Sequence, residues 1–219
     1  MSNNAIKIGQ NVVHLVNTQY PHLSTSKMRP LYNNAYCKYS TQDKKISTDY
    51  INLNMWYKNF MKKMREARKF RQTYSNLCPK RDAINLLYQL IIDKLGNCSE
   101  DAQLAELILR INGFKNACTA SLKRGEKEIN HDVCLFNVDD SIVKGNVKNN
   151  KTVVVDPWLG KVDFINNYFA NNSYLLERAV KVLPLGKFGI NTFGKFNLSE
   201  KIIQECKENY PELLFKKQI

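Results

Sequence analysis

The sequence predicts an α+β fold in which one central helix carries a cysteine and packs on an antiparallel sheet. Apolar residues recur at nearly every turn between Ala102 and Ile111, which predicts a helix buried on all sides. After Gly113 the apolar periodicity shortens to that of β-strands. Three predicted strands follow, at residues 114–122, 131–138 and 151–158. A helical segment followed by consecutive strands that polar turns connect is typical of an α+β domain.

The size and composition of the chain predict a globular protein. With 219 residues, of which 43% are hydrophobic, it can bury a large core. No apolar run reaches the roughly 18 residues of a membrane span, and the polar start lacks a signal-peptide pattern. We therefore expect a location in the cytoplasm of the producing cell. The six cysteines are scattered through the sequence, which favours free thiols in a reducing compartment over disulfides.

The positive charge of the chain is concentrated in its N-terminal third. Residues 1–82 contain 15 lysines and arginines against 4 aspartates and glutamates, whereas residues 83–219 contain 18 against 16. This asymmetry divides the chain into a basic extension, residues 1–82, and a nearly neutral core, residues 83–219. We expect the basic extension to meet an acidic partner, such as an anionic membrane surface or an acidic protein.

Within this extension, residues 1–50 show little periodicity and are predicted to be irregular. From Tyr50 onward, aromatic residues and methionines recur at helical spacing, as at Trp56, Phe60 and Met64. Basic residues fill the opposite side of this predicted amphipathic helix, among them Lys62, Lys63, Arg65 and Lys69. Such a helix either binds an anionic membrane or acidic partner, or packs on the core with a solvated basic face. Nucleic acid is a weaker candidate because no reader motif accompanies the charge.

The stretch from Gly96 to Asp101 starts the central helix. A preceding helix, predicted over residues 84–95, ends at Gly96, and the next helix begins with Cys98 at its first or second position. The N–H groups and the dipole at a helix N-terminus favour a thiolate, which is the nucleophilic form of cysteine. Cys98 is therefore the candidate nucleophile.

A base and a carboxylate follow at two of the predicted strands. The chain has three histidines, and His131 alone lies downstream of the cysteine helix, where it is predicted to open a strand. Asp156 closes the apolar run that starts at Val153, and Pro157 after it ends the strand ladder. A thiol nucleophile needs a neighbouring base, and the base needs a partner that fixes its tautomer. Cys98, His131 and Asp156 can supply these three roles.

A zinc site competes for the same side chains. The residue types of a Cys₃His zinc-ligand set are present at Cys98, Cys118, His131 and Cys134. However, strand positions three apart, such as His131 and Cys134, point to opposite faces of a sheet. We therefore expect Cys118 and Cys134 to be core thiols, and we expect no metal and no cofactor.

The remaining segments connect or follow the sheet. Polar turns are predicted at residues 123–130 and 139–150, and helices near residues 161–170 and 199–209. Between these helices, Gly186, Gly189 and Gly194 predict a loop or short strands.

These residues resemble a known superfamily. The chain contains, in order, Gly-Asn-Cys-Ser-Glu at a helix start, His131, and Val-Val-Asp-Pro-Trp ending at Trp158. This order is similar to the Cys-His-Asp order of papain-like and transglutaminase-like enzymes. The likeness extends from Ile84 to Gly160, about a third of the chain, and is greatest to compact secreted bacterial effectors. One departure is the small Ser99, where members of the superfamily often have an aromatic residue.

The resemblance implies a papain-like or transglutaminase-like core and an activity. Cys98 would be the nucleophile, His131 the general base and acid, and Asp156 the orienting carboxylate. Thiol protease, glutamine deamidase and transglutaminase chemistry remain open, with a protein of a host cell as substrate after delivery without a signal peptide. The oxyanion hole would draw on the backbone N–H of Cys98, or on Asn97 or Gln89. The alternative is a binding module that uses the basic helix.

Overall fold

The computed structural model describes residues 2–20, 55–67, 69, 96–125, 127–138, 151–179, 188–194 and 200–215. Its helices are α1 (Ser2–Gln19), α2 (residues 55–67), α3 (Cys98–Ile111), α4 (Ile165–Ala179) and α5 (Glu200–Asn209), followed by a 3₁₀ helix (Pro211–Leu213). Its strands are β1 (Cys118–Arg124), β2 (Lys127–Phe136), β3 (Val153–Asp156), β4 (Lys161–Phe164) and β5 (Phe188–Gly194). The predicted helix at residues 84–95 and the predicted turn at 139–150 lie outside the described residues.

The five strands form one antiparallel sheet in the order β4-β3-β2-β1-β5. Helices cover both of its faces. Cys134 and Phe136 of β2 pack with α1, α3 and α5, whereas Val133 and Leu135 pack with α4. This alternation explains why β3 is apolar at Val153, Val154 and Val155, since a central strand covered on both faces has no solvent-facing position. The predicted α+β class is confirmed.

The central helix α3 has the predicted limits. It begins at Cys98, and its C-cap is Asn112, followed by Gly113 at φ +93°. A positive φ is accessible to glycine at low cost, which is why glycine commonly ends a helix. In the middle of the helix, the buried Glu106 accepts hydrogen bonds from the backbone N–H of Thr119 at 2.7 Å and from its hydroxyl at 2.9 Å. This carboxylate ties α3 to β1.

The prediction that residues 1–50 are irregular is wrong for α1. Its buried positions Ala5, Gly9, Val12, Val16 and Tyr20 follow helical spacing, but two of these residues are too small to give a clear apolar signal. A Cβ atom on Gly9 would lie 2.6 Å from Val162 Cγ1 of β4, so glycine allows the helix to approach the sheet closely. The buried side of α1 and the adjoining Tyr20 therefore belong to the main hydrophobic core. Residues 21–50 lie outside the described part.

Two predicted boundaries are also wrong. The turn predicted over residues 123–130 is much shorter, because β1 continues to Arg124 and β2 starts at Lys127, with Gly125 at φ +59° after β1. The helix predicted at 161–170 starts at Ile165, after the short strand β4. The segment that contains Gly189 and Gly194, predicted as a loop or short strands, forms the strand β5, which pairs with β1. The predicted helix at 199–209 is confirmed as α5.

Helix α2 is amphipathic, as predicted. Phe60, Met64 and Ala67 are buried, with Tyr57 and Met61 packed against them. Its basic residues Lys58, Lys62, Lys63 and Arg65 are exposed, as is Lys69 beyond its last described residue. Met55 and Trp56 at its N-terminal end are 58% and 41% exposed. None of the described helices is long and apolar enough to span a membrane.

Candidate active site

The N-terminus of α3 presents Cys98 at the first helical position. Asn97 is the N-cap, and its backbone N–H donates to the Glu100 carboxylate at 2.8 Å, which fixes the start of the helix. Cys98 is half-buried, whereas Cys118, Cys134 and Cys206 are fully buried. Of the cysteines in the described ranges, Cys98 is thus the one that solvent reaches.

His131 lies inside β2, not at its start as predicted. Ser121 of β1 pairs with Asp132 of β2, and Lys123 pairs with Glu128. Two residues of β1 therefore span four residues of β2, and the extra residues form a β-bulge in β2 that contains His131. Bulges of this kind redirect side chains and are frequent beside active sites. The His131 ring is 2% exposed and lies next to Asp156, the last residue of β3.

Asp156 is fully buried and receives three hydrogen bonds. His131 Nε2 lies 2.7 Å from its Oδ2, and the hydroxyl of Tyr168 donates to the same oxygen at 2.5 Å. The backbone N–H of Leu159 donates to Oδ1 at 3.0 Å. Buried polar groups are normally hydrogen-bonded, and these three donors satisfy both oxygens of Asp156. The carboxyl group is therefore held in a fixed position beside the imidazole.

The imidazole of His131 connects this carboxylate to Cys98. A side-chain hydrogen bond joins His131 and Cys98. Because Nε2 faces Asp156, Nδ1 is the ring nitrogen directed at the thiol. Burial is the largest influence on the His131 pKa and lowers it, but the charge and hydrogen bond of Asp156, together with those of Cys98, outweigh burial and raise the pKa to about 10. His131 is thus protonated at neutral pH.

The turn after β3 covers this pair. The ring of Trp158 lies 5.1 Å from the His131 ring, centroid to centroid, at an interplanar angle of 54°. The turn closes at Gly160, which has φ +69°, and is held to α1 by a 3.2 Å hydrogen bond from the Asn17 amide to the Pro157 carbonyl. The indole Nε1 of Trp158 is buried and has no hydrogen-bond partner within the described part of the chain. Trp158 shields the His131 and Asp156 interaction from water.

The structure brings together the three side chains predicted as a triad, Cys98, His131 and Asp156, with Asn97 directly before the cysteine. Gln89, the other oxyanion candidate, lies outside the described residues. The basic residues predicted to contact a partner are all exposed: Lys62, Lys63 and Arg65 on α2, and Lys69 beyond its last described residue. His14 is exposed on α1 and belongs to a separate surface cavity of about 540 Å³ between α1 and β4, so it does not compete with His131 as the base.

The alternative zinc set is not assembled. Cys118 packs with the α4 side of the sheet and Cys134 with the α3 side. Across the described residues, no three histidine, cysteine or acidic side chains form a metal-binding group. The register explains the opposite faces of the two cysteines, because Cys118 pairs with Leu135, the strand neighbour of Cys134.

Two site residues were not predicted. Tyr168 on α4 is twelve residues beyond Asp156, and a single tyrosine near a helix start has no local pattern that marks it as a partner of a distant carboxylate. Trp158 was identified only as part of the end of a strand, not as a cover for His131. Its position two residues after a candidate catalytic carboxylate was the available signal.

Comparisons of this chain with protein-family models, with curated proteins and with solved structures found no match.

Proposed function

We propose that the protein is a thiol-dependent acyl-transfer enzyme that acts on protein or peptide carbonyls, with a papain-like or transglutaminase-like core. The observation that carries the proposal is the position of His131, which joins the half-buried thiol of Cys98 on one side to the buried carboxylate of Asp156 on the other. A histidine bonded to both a thiol and a carboxylate is the arrangement that nucleophilic catalysis requires.

In the proposed reaction, the Cys98 thiolate attacks a carbonyl carbon and forms a C–S bond, while the carbonyl electrons move to the oxygen. The backbone N–H of Cys98, with Asn97 beside it, is the proposed oxyanion donor, because N–H groups of a first helical turn point out of the N-terminus. His131 passes its Nδ1 proton to the leaving nitrogen, the C–N bond breaks, and a thioester remains.

The second half of the reaction releases the acyl group. His131, now neutral, takes a proton from an incoming water or amine, which attacks the thioester. The C–S bond then breaks and Cys98 is regenerated. Water on a peptide thioester completes proteolysis. Water on a glutamine-derived thioester, from which ammonia has already left in the first half, completes deamidation, and an amine gives a crosslink. Asp156 keeps the Nε2–H tautomer through both halves.

Mass spectrometry of candidate substrate proteins after incubation with the enzyme distinguishes these reactions. New termini indicate proteolysis, a gain of about 1 Da indicates deamidation, and a crosslinked pair indicates transglutamination. The Cys98→Ala variant, in which only the sulfur is lost, is the control. A modification that persists in this variant would contradict the proposal, as would the absence of all three products across a host-cell lysate. Action on a host protein after delivery into its cytosol stays a prediction.

A second candidate function is binding to an anionic membrane surface through α2. Phe60, Met64 and Ala67 are already buried, so the apolar face of this helix is not available for insertion. The exposed basic side and the exposed Met55 and Trp56 are what remain. Lysines attract an anionic leaflet, and tryptophan prefers the headgroup region of a bilayer.

Sedimentation with vesicles tests this candidate without reference to catalysis. Binding to phosphatidylserine vesicles, but not to phosphatidylcholine vesicles, should weaken as salt rises and should persist in Cys98→Ala. Charge reversal at Lys62, Lys63, Arg65 and Lys69 together should abolish it. Binding that ignores salt, or that the reversed variant retains, would contradict a membrane role, and selective binding to an acidic protein or to nucleic acid would replace it.

A further inference from the structure

Tyr168 is a buried residue that no step of the proposed reaction uses. It lies in the first turn of α4, is 0% exposed, and its ring packs edge-on against Phe169. Its hydroxyl donates to Asp156 Oδ2 at 2.5 Å. That oxygen is also the one that meets His131 Nε2 at 2.7 Å, so a single carboxylate oxygen accepts from both side chains.

Sharing one oxygen has a chemical consequence. A donor that withdraws electron density from Asp156 Oδ2 makes this oxygen a weaker acceptor for the imidazolium N–H of His131. A weaker acceptor retains the imidazolium less strongly. In the proposed reaction, His131 gives its proton to a leaving nitrogen. General-acid catalysis is most efficient when the pKa of the acid lies near the working pH, so a His131 that retains its proton too strongly would be a poor acid.

We propose that Tyr168 is a positioning residue of this site, whose hydroxyl holds Asp156 and limits the strength with which the carboxylate retains the proton of His131. The inference rests on the proposed acyl-transfer function. It adds to the triad a fourth side chain, which regulates the acid strength of the protonated His131. Tyr168 does not contact the reacting atoms in this role and acts through Asp156.

The surroundings of Tyr168 keep it in the donor form. Burial, the charge and hydrogen bond of Asp156 and the charge of Cys98 all raise the pKa of Tyr168 well above its usual value, so the phenol is protonated over the working range of pH. The titratable groups that influence His131 are Asp156 from β3 and Cys98 from α3. Tyr168 approaches from α4 and contacts Asp156.

The test is a comparison of the His131 pKa in wild type and Tyr168→Phe, measured from the imidazole resonances by NMR. The chain has three histidines, so each resonance is assignable by substitution. Loss of the donor should raise the His131 pKa by about one pH unit, because one hydrogen bond to a charged group changes a pKa by roughly that amount. The upper inflection in the pH dependence of Cys98 alkylation should rise by the same interval.

Tyr20→Phe is the matched control. The Tyr20 hydroxyl also donates to a carboxylate, Glu212 Oε1, at 2.9 Å, but at the junction of α1 and the 3₁₀ helix. This variant loses a similar hydrogen bond and should leave the His131 pKa unchanged. An unchanged or lowered His131 pKa in folded Tyr168→Phe would overturn the proposal, as would an equal rise in Tyr20→Phe.

If Tyr168→Phe does not fold, the substitute variant carries 3,5-difluorotyrosine at position 168. Fluorine makes the phenol a stronger hydrogen-bond donor, so this protein should have a lower His131 pKa than the wild type. A rise or no change in that protein would then overturn the proposal. The NMR titration needs no turnover. A failed search for substrates would therefore contradict the proposed enzyme, and a failed titration would contradict only the role of Tyr168.

Discussion

Replacement of Asp156 by Asn changes the chemistry of the site with little change in shape. The amide oxygen of Asn can still accept the Leu159 N–H, which is now 3.0 Å from Oδ1. Its NH₂ group then occupies the place of Oδ2, the oxygen that accepts from His131 Nε2 and from the Tyr168 hydroxyl in the wild type. The Tyr168 hydroxyl can rotate and accept, but His131 Nε2 can accept only if the ring carries its proton on Nδ1, toward Cys98. In that tautomer the imidazole no longer takes a proton from the thiol.

The expected loss of acyl transfer is about 10³-fold to 10⁴-fold, the scale of a wrong histidine tautomer in an Asp-oriented triad. Stability should change with a defined sign. The folded-state pKa of His131 is raised from 6.5 to about 10, so the pair stabilises the wild type fully below pH 6.5, and this stabilisation is lost as the pH rises through 10. Because a pKa difference of one between the folded and unfolded states corresponds to about 1.4 kcal/mol, the pair contributes a few kcal/mol. In Asp156→Asn the contributions of Asp156 are lost, and burial lowers the His131 pKa against the remaining influence of Cys98.

Urea denaturation of both proteins near pH 6 and pH 10, with reductant present, measures this difference. Asp156→Asn should be destabilised by a few kcal/mol more at the lower pH than at the higher one. Asp132→Asn is the matched control, because Asp132 precedes Val133 on β2 beside His131 but accepts from the Ser121 hydroxyl at 2.6 Å. The same destabilisation at both pH values, or an equal pH dependence in the control, would refute the ion pair.

Two further substitutions test how the core holds the site. Glu106→Ala should lower the free energy of unfolding by about 3 kcal/mol, because it removes the buried carboxylate that accepts from the N–H and hydroxyl of the half-buried Thr119. Glu106→Gln should cost less, and equal urea midpoints for the two variants would contradict this role. Gly9→Ala should destabilise the protein by about 1–2 kcal/mol despite the better helix propensity of alanine, because the added Cβ would lie 2.6 Å from Val162 Cγ1; a raised thermal midpoint would show that α1 has room to move.

The parts of the molecule that local sequence could predict are those with local physical causes. The start of α3 follows from Asn97 as N-cap and Glu100 three residues later, and its end from Asn112 and Gly113. Asp156 is the last residue of β3, as expected from a short run of β-branched apolar residues that stops before Pro157. From these positions the meeting of a thiol, an imidazole and a carboxylate could be anticipated.

The parts that could not be predicted depend on distant contacts. Helix α1 depends on its packing against the sheet, where Gly9 approaches Val162 closely. The strand β4 is four residues long, and the alternation of Val162 and Phe164 over so short a span does not separate a strand from a helix. The bulge around His131 is a property of the pairing between β1 and β2. Tyr168 meets Asp156 only because α4 folds back over β3.

Alkylation of Cys98 by iodoacetamide at about pH 6, where an ordinary thiol is almost entirely protonated, tests the central claim most directly. Peptide mapping after short exposure should show Cys98 modified well before the other five cysteines, with the signal absent in Cys98→Ala and strongly reduced in His131→Asn. Such a result would establish a thiolate that depends on the imidazole. Undiminished total labelling of Cys98→Ala, or the same rate at Cys98 with and without His131, would contradict the account.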